Sequence, residues 1–189
     1  MAPTYDIRAL PVPPTQSQIK KFSSLRLLCL KTDPEFFGST YERELAFTED
    51  QWRERLSTHN RATFVASVAD SGQEWVGTLA ILVPSEMIFD SLAPLRDIGV
   101  GKDGDVYMLV GMWVRPEHRR RGLGKRLVEE ACDWIRKHNL KDGEVWKDKT
   151  VALQVGNNND GGWALYDKTG FRLLSNVESE DKWMVCRVA

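Results

Sequence analysis

The sequence predicts an α/β fold in which helices are inserted between the strands of one mixed sheet. Three observations carry this reading. Apolar residues recur at helical spacing in Ile19, Phe22, Leu25, Leu28 and Cys29, and again in Leu127, Ala131, Trp134 and Ile135. Runs at 63–69, 74–83, 149–155, 171–176 and 182–188 read as strands bounded by turn residues. Asp105 to Val114 is almost continuously apolar, as expected of a strand buried on both faces.

Taken in order, Tyr5 to Leu10 alternates weakly and reads as a first strand, ended by the prolines at 11, 13 and 14. Thr15 is placed to cap a helix from Ser17 to Lys31, which Asp33-Pro34 breaks. An irregular or helical piece through Phe36 and Tyr41 follows. Thr48 then caps a helix with Trp52 and Leu56 on one face. The strands 63–69 and 74–83 flank Ser71-Gly72 and form a hairpin. A long connection, 85–104, carries Met87, Ile88, Phe89, Leu92, Leu95 and Ile98; connections this long are often functional. A helix from Gly124 to His138 follows the apolar strand. A second, from Asn159 to Thr169, ends at Gly170, a residue favoured just past a helix end. Nothing marks a linker or a repeat, so residues 1–189 read as one domain.

Composition narrows the function classes. A formal net charge of −1 gives no global attraction to nucleic acid or anionic membrane. The longest apolar stretch, Val106 to Val114, falls well short of the roughly 20 residues of a membrane-spanning helix. Residues 1–10 lack the pattern of a secretory signal. Three scattered cysteines, Cys29, Cys132 and Cys186, fit neither a disulfide framework nor a zinc site. The expectation is a cytoplasmic protein with reduced thiols, Cys132 and Cys186 buried, no metal, and no nucleic-acid or membrane partner.

The chemistry concentrates after the apolar strand. Trp113-Val114-Arg115-Pro116 runs into the basic turn Arg119-Arg120-Arg121-Gly122-Leu123-Gly124-Lys125, and a helix follows. The first N–H groups of a helix have no internal partner and lie at its positive end, a ready anion site. Glycines allow close approach of a ligand to the backbone, and a side chain at Gly124 would take the phosphate's place. A solvated basic loop is the bland alternative. Nucleic-acid binding is disfavoured by the near-zero charge and the lack of a wider basic stripe.

Arg119-x-x-Gly122-x-Gly124 resembles the acetyl-CoA signature Q/R-x-x-G-x-G/A of the GNAT superfamily of N-acetyltransferases. The run from Val155 to Phe171 resembles that family's V-x-x-x-N-x-x-A-x-x-L-Y-x-x-x-G-F. Asn159, Leu165, Tyr166, Gly170 and Phe171 are in register, and Gly162 stands where alanine is usual. The resemblance implies a single mixed sheet of six to seven strands flanked by about four helices, with a splay beside the coenzyme strand. It implies acetyl-CoA as cosubstrate, its pantetheine arm on the backbone of Met112, Trp113 and Val114. The pyrophosphate would lie on Arg120, Arg121, Gly122, Leu123, Gly124 and Lys125, with Arg119 at the turn. Asn159 would hold the coenzyme or cap its helix. Tyr166 would protonate the departing thiolate.

Where several family members carry a general-base glutamate, this chain has Met108. Asp105 is the nearest carboxylate and the candidate base; Glu42 and Glu44 are others, and each reads equally well as a solvated surface group. Glu42, Ile88 and Phe89 are candidates for the acceptor side. The expected acceptor is a small-molecule primary amine that attacks the thioester directly. Protein N-terminal or lysine acetylation and a non-catalytic coenzyme A-binding module are the alternatives. A homodimer is compatible with the family.

Overall fold

A computed structural model describes residues 3–69, 74–85, 92–102, 105–138, 149–177 and 179–188. Its seven strands are β1 (Tyr5–Ala9), β2 (Arg61–Val68), β3 (Trp75–Leu82), β4 (Asp105–Val114), β5 (Lys149–Val155), β6 (Arg172–Leu173) and β7 (Lys182–Val188). They form one sheet in the order β1-β2-β3-β4-β5-β7-β6. Every neighbouring pair is antiparallel except β4 and β5, which are parallel because a helix crosses over between them. The six described α-helices are α1 (Gln16–Thr32), α2 (Tyr41–Leu45), α3 (Glu49–Ser57), α4 (Ala93–Asp97), α5 (Leu123–Lys137) and α6 (Asp160–Lys168). Four are long, as expected, and α2 and α4 add about one turn each.

Local chemistry sets the helix ends. Thr15 and Thr48 each accept from the backbone N–H three residues on, while Gln18 and Gln51 reach back to the cap. These capping boxes start α1 one residue earlier than its apolar spacing suggests. Helix α5 buries Leu123, Leu127, Val128, Ala131, Cys132 and Ile135 against one face of the sheet. On the other face, α1 and α3 enclose Ile19, Phe22, Leu25, Cys29, Trp52 and Leu56 with Val65, Trp75 and Trp113. A third cluster joins Leu92 and Leu95 of the 85–104 connection to Ala152, Val177 and Trp183. Leu92 and Leu95 therefore belong to the domain's own core rather than to a pocket wall. Met87, Ile88 and Phe89 lie outside the described residues.

Strand β4 departs from the expectation of burial on both faces. Tyr107 and Leu109 are buried, whereas Val106, Met108, Val110, Gly111 and Met112 are only partly so. The cause is a bulge. Thr78 pairs with Trp113 and Ala80 with Val110, so Leu79 faces both Gly111 and Met112, and Gly111 takes φ +61°. The extra residue reverses the alternation. Tyr107 and Leu109 point toward α5 before the bulge, Met112 and Val114 after it, which turns Trp113 into the α1 cluster. The expected strand at 171–176 shrinks to Arg172–Leu173, and Cys186 is only partly buried.

Candidate coenzyme and acceptor site

The parallel ladder between β4 and β5 runs only from Asp105/Lys149 to Met108/Ala152. Beyond it β4 leans onto β3 through Val110, Trp113 and Val114, while β5 stays on β7 through Val155. The strands splay apart, leaving the facing backbone edges from Leu109 and Leu153 onward outside the β4–β5 ladder. This is where Met112, Trp113 and Val114 lie, in position for an extended ligand to add as a strand would. Their side chains turn inward: Trp113 is 5% and Val114 8% exposed.

At the mouth of the splay the chain makes a short 3-10 turn over Pro116–His118 and enters α5. Arg120 (φ +60°) and Gly122 (φ +76°) are both left-handed. Gly122 is the N-cap and supplies no capping side chain, so its helix start presents bare N–H groups. A Cβ built on Gly122 would meet nothing within 4 Å, which leaves the space over the turn open. Arg120, Arg121 and Lys125 are exposed around it, and Lys125 reaches Glu129 at 3.5 Å. Backbone donors, a glycine cradle and surrounding cations fit a pyrophosphate.

Two assignments change. Gly124 does not face the phosphate space, because its Cβ would lie 3.0 Å from Met112 Cε and 3.3 Å from Leu165 Cδ2. It allows α5 to pack closely on β4 and α6. Arg119 does not point freely at a ligand either. Its Nε donates to the Val114 carbonyl at 2.8 Å and its NH2 group to Asp33 Oδ2. The same Asp33 oxygen accepts from Trp113 Nε1 at 2.6 Å. Asp33, at the end of α1, thus clamps β4 to the turn that follows it. A second brace is the hydrogen bond of Tyr5 Oη with His118 Nδ1 at 3.0 Å, and Arg126 donates to the Tyr5 carbonyl at 2.9 Å. In the sequence Asp33 reads only as a helix breaker and Tyr5 only as the start of a strand.

Behind the splay, Asn159 caps α6 by accepting from the Gly162 N–H at 2.8 Å. A Cβ on Gly162 would come within 2.9 Å of the Asn159 amide, which accounts for glycine where alanine is usual. Tyr166 is 7% exposed, packs 5.7 Å from the Phe171 ring, and joins the main core cluster. Burial pushes its phenol well above the ordinary value, so it holds its proton at neutral pH.

The carboxylates separate clearly. Asp105 begins β4, paired in register with Lys149, seven residues and roughly 20 Å along the strand from Met112. The structure does not bring it to Tyr166. Glu42 is exposed on α2. Glu44 is not a surface group: it is fully buried, with Arg26 donating to both of its oxygens at 3.0 Å and Arg55 at 3.2 Å. Burial alone would raise its pKa, but Arg26 and then Arg55 outweigh that and hold it below the usual carboxylate range. Met108 is partly buried against the third core cluster. Among the described residues no group of His, Cys, Asp or Glu could hold a metal ion, and no helix is long and apolar enough to cross a membrane.

The fold agrees with comparisons to known proteins. No curated protein matches the chain significantly. Among solved structures it is similar to the acetyltransferase of GNAT family from Streptococcus pneumoniae, with TM-score 0.67 and 17% identity over 98% of this chain and 100% of that one. It is also similar to the PaiA N-acetyltransferase from Thermoplasma acidophilum in complex with coenzyme A, with TM-score 0.62, 14% identity, and 96% and 98% coverage. NAA60 from Arabidopsis thaliana, in complex with a bisubstrate analogue, matches with TM-score 0.60, 14% identity, and 98% and 100% coverage. The family model of the acetyltransferase (GNAT) family matches residues 27–171, most of the chain. The chain belongs to the acetyltransferase (GNAT) family.

Proposed function

We infer that the protein is an acetyl-CoA-dependent N-acetyltransferase that passes an acetyl group to a primary amine of a small molecule by direct attack. The observation that carries this is the splay of β4 from β5 immediately before an open, glycine-capped helix start, with Tyr166 behind it. Acetyl-CoA supplies the activated acyl thioester. The chain's own groups do the rest. The N–H groups at 123–125 and the cations Arg120, Arg121 and Lys125 hold the pyrophosphate. The bared edge of Met112–Val114 aligns the arm, and one N–H there polarises the thioester carbonyl.

The reaction forms one N–C bond and breaks one C–S bond. The amine nitrogen gives up a proton and the departing sulfur gains one. Tyr166, protonated at neutral pH, is the donor to sulfur. The amine attacks as the neutral form and its nitrogen then sheds one proton to water, since Met108 cannot accept it and Asp105 lies at the far end of the strand; water returns a proton to the Tyr166 oxygen. The free thiols of Cys29, Cys132 and Cys186 support a reducing, cytoplasmic setting.

Thiol release from acetyl-CoA against a panel of small primary amines tests this reading. Amine-dependent release supports it. Coenzyme binding with no release for any amine or peptide would make the protein a binding module.

A further inference from the structure

A buried cluster beside the sheet carries more positive charge than its one carboxylate balances. Arg26, Arg55 and Arg61 gather around Glu44, where α1, α2 and α3 meet the start of β2. Glu44 takes both Arg26 and Arg55, so one carboxylate faces two guanidinium groups before Arg61 is counted. Arg61 makes no ion pair among the described residues, and its Nε donates only to Thr63 Oγ1 at 3.3 Å. Arg55 Nε is buried with no hydrogen-bond partner among the described residues. Burial, then the charges of Arg55 and Arg26, push Arg61 down to about 9, with Glu44 opposing. A guanidinium stays charged under such pressure, so the site retains surplus cations.

The strand register shows where this surplus leads. Arg61 pairs with Leu82 and Leu82 with Met108, the last residue before the splay. Arg61, Leu82, Met108 and Val110 are all partly exposed, while Thr63 and Ala80 beside them are buried. A partly exposed row therefore runs across two strand spacings, about 10 Å, from Arg61 to Met108 at the start of the splay. A molecule with its amine at the splay would lay its far end on Arg61 and Arg55.

We propose that the acceptor is a primary amine bearing an oxyanionic end group, held by Arg61 and Arg55 at the far end of this row. This rests on the acetyl-transfer reading above and adds the substrate class to it. Guanidinium groups take carboxylates and phosphates in forked, charge-assisted hydrogen bonds, and an anion here would balance the partly desolvated cations.

The test measures kcat/KM with acetyl-CoA for ω-amino carboxylates from β-alanine to 6-aminohexanoate, their primary amides, and the matching aminoalkyl phosphonates. The acids or the phosphonates are expected to exceed the amides by about tenfold or more, with an optimum chain length. The stronger series identifies the oxyanion. Arg61→Gln should bring the acid-to-amide ratio close to one, and Arg61→Lys should restore part of it. A structural role would instead lower Tm and reduce both series alike. Equal use of acids and amides by the wild-type enzyme overturns the proposal while leaving acetyl transfer standing. Absence of turnover with every amine defeats the acetyl-transfer reading and this inference with it.

Discussion

Asp33→Ala removes the acceptor shared by Trp113 and Arg119, which lie 80 and 86 residues further along the chain. Trp113 is 5% exposed, so its Nε1–H would lose its partner at 2.6 Å with little access to water. Leaving a buried donor unpaired costs about 1–3 kcal/mol. The Arg119 contact adds little, because that side chain is 40% exposed and the pair is screened by solvent. A total of about 2 kcal/mol lowers Tm by about 4–8 °C in a domain of this size. The clamp also fixes β4 relative to the turn proposed to hold the pyrophosphate. Calorimetric titration with coenzyme A should therefore show affinity weakened about tenfold, equivalent to about 1.4 kcal/mol. Asp33→Asn keeps an oxygen for Trp113 and should fall between wild type and alanine on both measures. Wild-type Tm and wild-type affinity in the alanine variant would refute the clamp.

Three further outcomes are expected. Tyr166→Phe should lower kcat by about 100-fold with coenzyme affinity unchanged, because only a hydroxyl is lost; wild-type turnover where chemistry limits the rate would leave Tyr166 as a core aromatic. Gly124→Val should overpack α5 against Met112 and Leu165 and cost about 1–3 kcal/mol, read by urea unfolding. Adding Met112→Ala should recover part of that loss, and no recovery would contradict the contact geometry. His138, stacked on Trp134 and hydrogen-bonded through Nδ1 to the Tyr107 hydroxyl, is held below its ordinary pKa by burial and then by Lys149. The folded state therefore resists its protonation. The stability this contributes is present above about 6.5 and is lost as pH falls. Urea midpoints at pH 7.5 and 5.5 should show a drop that shrinks in His138→Gln; an undiminished drop would assign it to other groups.

The fold was legible where the chain speaks locally. The capping threonines, the apolar spacing of α1 and α5, the hairpin and the range of β5 all follow from nearest neighbours in sequence. The β4 bulge was not legible, because Gly111 reads as one apolar-run residue among others until its register with Leu79 is known. The basic turn and the helix start at Gly122 were readable from the glycines and the apolar spacing that follows. The orientation of Gly124 and the engagement of Arg119 depend on Leu165 and Asp33, which only the fold brings near. Glu44 looked like any surface glutamate because its partners, Arg26 and Arg55, come from two other helices. Nothing in the spacing of Asp33 marks it as a partner of Trp113.

The proposed reaction moves an acetyl group from sulfur to an amine nitrogen. The most direct measurement incubates the protein with isotopically labelled acetyl-CoA and the amine that releases most thiol in the panel, then quantifies products by mass spectrometry and NMR. A labelled N-acetyl amide and free coenzyme A are expected in equal amounts, formed together and dependent on protein. Labelled acetate alone, an O-acetyl product, or bound and unchanged acetyl-CoA would contradict the proposed reaction.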